Sequence, residues 1–153
     1  MSITYKDAKI ISNEEIATGI FKMSVEDTNE INAGQFYMLK HKGQTLLPRP
    51  ISICEKNDDK LTFLYAVVGT GTKEYVDLKE GDTISLTGPL GNGFDLNKEY
   101  GKVALVGGGI GIAPLLELSK QLRSKNRDEK IDLYAGFRDE IYLVDDFKEY
   151  VND

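Results

Sequence analysis

Residues 102–114 constrain this chain more than any other stretch. Lys102-Val103-Ala104-Leu105-Val106 is a short continuous apolar run, the pattern of a parallel strand buried on both faces. It leads directly into Gly107-Gly108-Gly109-Ile110-Gly111-Ile112-Ala113-Pro114. Glycines let a backbone turn sharply and let an anion approach main-chain N–H groups without meeting a Cβ. Beyond the turn, Leu115, Leu116, Leu118 and Leu122 share one face, predicting an amphipathic helix over about residues 113–124. Pro114 suits its first turn, where a missing N–H costs nothing. Strand, glycine turn and helix N-terminus in this order make a phosphate-cradling unit, with the positive end of the helix dipole at the turn. Gly107, Gly108, Gly109, Gly111 and Pro114 are the candidate nucleotide contacts. Pro114 replaces the third glycine of the G-x-G-x-x-G pattern. A plain tight turn is the alternative reading.

The pattern continues with a polar loop at 126–130, a second buried strand at 131–135, and a helix at 144–150 with Asp145-Asp146 near its start. This β-α-β-α order opens a doubly wound parallel sheet. Two strands make a poor sheet alone, so the α/β domain is expected to be incomplete. The edge left bare after residues 131–135 predicts self-association or a covering partner.

The front part reads differently. Short alternating segments at 4–12, 19–25, 35–40, 50–54, 61–68 and 82–87 are separated by turn residues, including Asn57-Asp58-Asp59-Lys60 and a closing Gly88-Pro89. A short helix is expected at 72–78. Many short strands with Gly/Pro punctuation predict an antiparallel β barrel. The expected fold is therefore a barrel domain, 1–98, followed by a partial α/β nucleotide-binding domain, 101–153.

Three more loops carry candidate chemistry. In Leu47-Pro48-Arg49-Pro50-Ile51-Ser52-Ile53-Cys54, two prolines fix the backbone of an arginine suited to bidentate phosphate contact. The plain alternative is a Pro-flanked strand start. Gly69-Thr70-Gly71-Thr72 offers N–H groups and hydroxyls at a helix start, or simply an N-cap at Thr72. Gly88-Pro89-Leu90-Gly91-Asn92-Gly93-Phe94 reads mainly as a turn.

Composition excludes several classes. A formal charge of −6 without a basic stripe argues against nucleic-acid binding. No apolar run approaches membrane-spanning length, and the first residues lack a signal-peptide core; a cytoplasmic location is expected. The single cysteine, Cys54, rules out an intramolecular disulfide or a cysteine-ligated iron–sulfur site within this chain. The single histidine, His41, sits in Lys40-His41-Lys42-Gly43 and reads as a solvated loop residue.

In order, these four loops resemble the ferredoxin–NADP reductase superfamily and, more narrowly, the electron-transfer subunits of NAD-dependent (class B) dihydroorotate dehydrogenases. The resemblance covers essentially the whole chain. It implies FAD lined by Arg49, Pro50, Ile51 and Ser52, with Arg49 on the pyrophosphate and Ser52 near the flavin N5. It also implies flavin contacts from Leu64, Tyr65 and Ala66, and a second pyrophosphate contact from Gly71 and Thr72. Relatives often carry a basic residue where this chain has Ala66, so one cationic contact is expected to be missing. Gly107 to Pro114 matches the nicotinamide-nucleotide loop, and Gly136-Phe137-Arg138 a segment near the ribose; NAD and NADP both stay open. The chemistry implied is electron transfer between NAD(H) and a partner dihydroorotate dehydrogenase catalytic subunit in pyrimidine biosynthesis. Such subunits continue beyond this length and end in a [2Fe-2S] cysteine cluster. The chain therefore reads as C-terminally truncated, without [2Fe-2S], and with NAD(P)H binding weakened. Two alternatives remain: the flavin subunit of a ferredoxin–NADP reductase or hydrogenase complex, and a non-catalytic flavin-binding or docking module.

Overall fold

The computed structural model describes residues 2–42, 47–125 and 128–153, with only the backbone described at Thr70 and Gly71. Gly43 of the turn around His41, and Asn126-Arg127 of the polar loop, lie outside the described residues.

Six strands arise where apolar and polar side chains alternate: β1 (Thr4–Ala17), β2 (Ile20–Glu26), β3 (Phe36–Lys40), β4 (Arg49–Asn57), β5 (Lys60–Ala66) and β6 (Thr83–Leu90). They close into an antiparallel barrel in the order β1-β2-β5-β4-β3-β6, which removes the edge problem of an open sheet. Met23, Tyr37, Leu39, Ile53, Phe63 and Leu86 are fully buried in its core. The β4–β5 hairpin turns at Asp58, whose φ is 45°, with Asn57 opposite Lys60. Such primed turns match the twist of the flanking strands.

Several expected boundaries move. β1 continues to Ala17 because bulges between Ile10/Ser12 and Glu15/Ala17 bend it, so that it pairs with β6 early and β2 late. β6 runs through Gly88-Pro89 to Leu90; a Cβ on Gly88 would lie 2.7 Å from the Tyr37 ring. Residues 72–78 do not make one helix. A single turn, α1 (Thr70–Lys73), gives way to tighter bonds from Tyr75 N–H to Thr72 O and from Leu78 N–H to Tyr75 O. This i, i+3 winding sets Tyr75 and Leu78 together into the barrel core. His41 is half-buried rather than solvated, and its Nδ1 is buried without a hydrogen-bond partner among the described residues.

The second part contains β7 (Lys102–Gly108), α2 (Ala113–Lys125) and β8 (Lys130–Gly136). β7 and β8 are parallel, in register from Lys102↔Lys130 to Gly108↔Gly136. The second core joins Cys54 and Leu64 of the barrel wall to Leu116 of α2 and to Leu105 and Ile131 of the sheet. The two strands are not buried on both faces as expected: Val106 is 74% exposed and Tyr134 60%. Alternate residues point away from α2, and no described element covers that side. Residues 144–150 form only a 3₁₀ turn, Val144–Phe147. Leu143 enters it in the left-handed region, φ 66°, and the segment is too short to sustain an α-helix against its nucleation cost.

The edge expected to be bare is covered. Asn152 donates to Ile131 O at 2.7 Å, and Leu133 N–H donates to Asp153 O at 2.7 Å. Arg123 Nη2 holds Asn152 Oδ1 at 2.8 Å. Among the described residues the uncovered edge is instead that of β7, beside a cavity of about 580 Å³ lined by Phe94, Leu96, Tyr100, Val103, Leu115 and Leu118. No described helix is long and apolar enough to cross a membrane.

Candidate functional site

The barrel has an opening where two of its strands part. The β4–β5 ladder runs from Asn57↔Lys60 to Ile53↔Phe63 and stops. Beyond it, Arg49–Ser52 pair only with β3, and Leu64–Ala66 only with β2. Strand alternation fixes which backbone groups face the opening. Ile53 N–H donates to Gln35 O on the β3 side, and Val67 N–H to Gly19 O on the β2 side. The main-chain polar groups of Ser52, Leu64 and Ala66 therefore turn the other way, toward each other across the gap. Pro50 shares that parity and contributes no N–H.

The side chains divide between the two sides of the wall. Ile51 and Tyr65 belong to the barrel interior, where Tyr65 donates to Asn13 Oδ1 at 2.9 Å and stacks on Phe21. Leu64 is buried in the second core. Pro50 and Ser52 are exposed and Ala66 half-buried, so the outer mouth of the gap is accessible.

Arg49 and the α1 turn are linked through Tyr75. The Tyr75 hydroxyl donates to Leu39 O at 2.9 Å, and Leu39 lies opposite Arg49 in the β3–β4 ladder. Tyr75 N–H in turn bonds Thr72 O. Burial pushes the Tyr75 hydroxyl up to about 12, against a lowering pull from the nearby Arg49 guanidinium. Arg49 itself makes no hydrogen bond or ion pair among the described residues, which leaves its donor fork unspent. Thr72 differs from its expected N-cap role. It lies inside α1, 8% exposed, and its Oγ1 accepts from Val68 N–H at 3.0 Å while donating to Gly69 O at 3.3 Å. What the α1 turn offers a ligand is main-chain N–H, since the first N–H groups of a helix have no intrahelical acceptor and Lys73 N–H already bonds Gly69 O at 2.9 Å.

The glycine turn separates packing glycines from open ones. A Cβ on Gly107 would lie 2.8 Å from Ile112 Cγ2 and 3.0 Å from Leu115 Cδ1; this glycine lets strand and helix close up. Gly109 has φ +54°, a conformation glycine adopts without strain. Gly108 and Gly111 would meet nothing within 4 Å, so their backbone faces free space. Pro114 is the second residue of α2. Gly136 pairs with Gly108, which brings Phe137 and exposed Arg138 to the same end of the sheet. The glycines at 88, 91 and 93 instead have close protein neighbours in Tyr37, Phe36 and Asn32, so that loop is structural.

A polar seam fixes the second part on the barrel. Glu117, 4% exposed, accepts from Lys56 N–H at 2.8 Å and from Gln121 Nε2 at 3.0 Å. Ala33 N–H donates to Gln121 Oε1 at 3.2 Å. Burial pushes the Glu117 carboxyl up, opposed by the Lys56 N–H and by Lys120. The cause is local: β3 pairs only with Arg49–Ser52, so the N–H of Lys56 is left over on that side.

Two curated relatives match along the whole chain. The dihydroorotate dehydrogenase B (NAD(+)) electron transfer subunit of Clostridium perfringens is 54% identical over 153 residues, covering 100% of this chain and 62% of the relative. That of Clostridium acetobutylicum is 44% identical over 154 residues, covering 100% and 61%. The chain is a homologue of these electron-transfer subunits. It spans about three fifths of their length. Among solved structures, an NADH-dependent reduced ferredoxin–NADP oxidoreductase superposes with a TM-score of 0.81 at 34% identity, over 93% of this chain and 53% of that one. The ferredoxin reductase in carbazole 1,9a-dioxygenase superposes with a TM-score of 0.86 at 19% identity, over 99% and 49%, a likeness of fold. No family model matches the chain.

In this electron-transfer-subunit homologue the opening and the glycine turn lie on the same side of the barrel wall, since Leu64 shares the second core with Ile112 and Ala113. Sequence reasoning missed the Glu117–Gln121 seam and the aromatic pair Phe137–Tyr142, whose rings meet edge-on at 4.9 Å. Neither carries a periodic or motif signal.

Proposed function

We propose that this chain is the flavin-holding portion of an electron-transfer subunit, with FAD seated in the β4–β5 opening and NAD(P)H on the turn at Gly107–Pro114. The observation that carries the reading is the interrupted ladder. Unpaired main-chain groups of Ser52, Leu64 and Ala66 suit the polar edge of an isoalloxazine ring, and an uncommitted Arg49 suits its diphosphate. FAD supplies the hydride and electron chemistry when bound. The residues orient it: Pro50 beside the ring, Ser52 at its N5 side, Ile51 and Tyr65 supporting from the barrel interior, Gly71 and Thr72 lending N–H groups to the diphosphate. Gly108, Gly109 and Gly111 leave room for a second diphosphate at the start of α2, behind Gly107 and Pro114. The relatives' names support electron delivery to a dihydroorotate dehydrogenase catalytic subunit in pyrimidine synthesis. We further propose that the bare β7 edge is covered in solution, by a second copy or by that subunit.

Three measurements test this. The purified protein should retain FAD, and NADH should bleach the band near ~450 nm in stopped flow. Failure to quench added FAD on titration would overturn the flavin assignment. A flavin that binds but stays oxidised under NADH would leave only a binding module. A sharply monomeric sedimentation profile at high concentration would count against the second copy.

A further inference from the structure

We propose that Tyr142 is a ligand-binding residue whose hydroxyl donates a hydrogen bond to the diphosphate of a dinucleotide seated on the Gly107–Gly111 turn. This rests on reading that turn as the dinucleotide site.

The geometry starts at Gly109. A Cβ built there would find one atom within 4 Å, the Tyr142 hydroxyl oxygen at 3.7 Å. Tyr142 therefore overhangs the left-handed residue of the turn, between the open glycines 108 and 111. Its ring is placed by packing rather than by its hydroxyl. Phe137, just beyond the end of β8, meets it edge-on at an interplanar angle of 69°. Leu143 next to it is buried, 8% exposed, and held at φ 66°. On the other side the ring helps line a cavity of about 300 Å³ between the two parts of the molecule, with Ile16 and Lys22 of the barrel.

The hydroxyl of this half-buried ring makes no hydrogen bond among the described residues. It is not among the buried polar atoms that lack a partner, so it is reachable from solvent and free to donate to a ligand at the turn. Burial also pushes its pKa up, so the group stays a protonated donor at working pH. A protonated, uncommitted donor overhanging a glycine turn with open space at Gly108 and Gly111 is placed to donate to a phosphate oxygen seated on that turn. Packing alone accounts for the ring but not for where the hydroxyl points.

The test uses Tyr142→Phe, which keeps the ring against Phe137. ADP-ribose, which carries the diphosphate, and adenosine, which does not, are titrated against both proteins by saturation-transfer NMR at fixed FAD. The expected result is a ~10-fold weaker Kd for ADP-ribose in the variant, equivalent to about 1.4 kcal/mol, with adenosine binding and melting temperature unchanged. Equal ADP-ribose affinity in the two proteins would overturn the assignment while leaving the turn's role intact. Equal weakening of both ligands would also overturn it, because the effect would then be structural. Absence of ADP-ribose binding to the unaltered protein at millimolar concentration would remove the dinucleotide reading itself, and Tyr142 with it.

Discussion

Adjacent glycines in one turn should respond oppositely to the same substitution. Gly107→Ala places a methyl 2.8 Å from Ile112 Cγ2, 3.0 Å from Leu115 Cδ1 and 3.2 Å from Ile112 Cα. Ile112 is fully buried and β-branched, so its χ1 has little freedom to yield, and the backbone atom cannot yield alone. Overpacking of this kind costs about 1–3 kcal/mol, and the upper half of that range applies. Removing glycine's freedom from the unfolded chain returns about 0.4–1 kcal/mol. The net loss is roughly 1–2.5 kcal/mol, or a fall in Tm of about 2–10 °C for a domain of this size. Gly108→Ala meets nothing within 4 Å at φ −119°, ψ 131°, an extended conformation open to any residue. Its Tm should hold or rise by a few degrees at most (about 0.4–1 kcal/mol), while ADP-ribose binding falls because the methyl occupies the approach to the backbone. The assay is thermal unfolding by circular dichroism at fixed FAD, since bound ligand itself raises Tm, alongside ligand titration. A Gly107→Ala protein as stable as the parent, or a Gly108→Ala protein that melts early and binds normally, would refute the division into packing and ligand glycines.

Arg49→Ala should weaken FAD by the worth of a charged hydrogen bond, about 1.5–3 kcal/mol or roughly 10–150-fold, without lowering the Tm of the flavin-free protein; an unchanged FAD Kd would contradict its role. Cys54 is buried, and desolvation pushes its thiol up to about 12, so a disulfide reagent at pH 8 should leave it untouched until denaturant is added. Prompt labelling of the native protein would mean that α2 does not pack on the barrel. Glu117 has a raised folded pKa, so the folded state binds its proton more tightly than the unfolded chain does. Its contribution is therefore most favourable at low pH and is lost as pH rises through the folded value. Glu117→Gln should close the Tm gap at acidic pH and gain on the parent toward neutrality; a pH-independent gap would contradict the burial assigned to it.

The barrel was legible because most of its strands alternate between a core face and an outer one, while β5, buried from Leu61 to Tyr65 with a core on each face, reads as a strong apolar run, and both patterns are local. The Asn57–Lys60 turn, the glycine turn and the helix after it were legible for the same reason: each is a short-range requirement of backbone geometry. The apolar run 102–106 misled on burial because an apolar side chain records what a position tolerates, and Val106 at 74% exposure has no described layer over it. The cover on β8 was invisible because it depends on Arg123 and Asn152 meeting across the chain, which no local pattern encodes.

The site divides along the same line. Arg49, Ser52 and the glycines announce themselves because phosphate and flavin recognition needs particular residue types at fixed offsets. What turns them into a site is the failure of the β4–β5 ladder past Ile53↔Phe63, and that failure is a property of two strands at once. Each strand keeps its other neighbour, so neither sequence looks irregular. A closed barrel with every ladder complete would have placed the same Arg49 and Ser52 on a sealed wall, with no main-chain groups left to offer. Filling the mouth of that gap with a bulky side chain, as in Ser52→Trp at an exposed position, should therefore abolish FAD binding while preserving the barrel; an unchanged FAD Kd would contradict the placement.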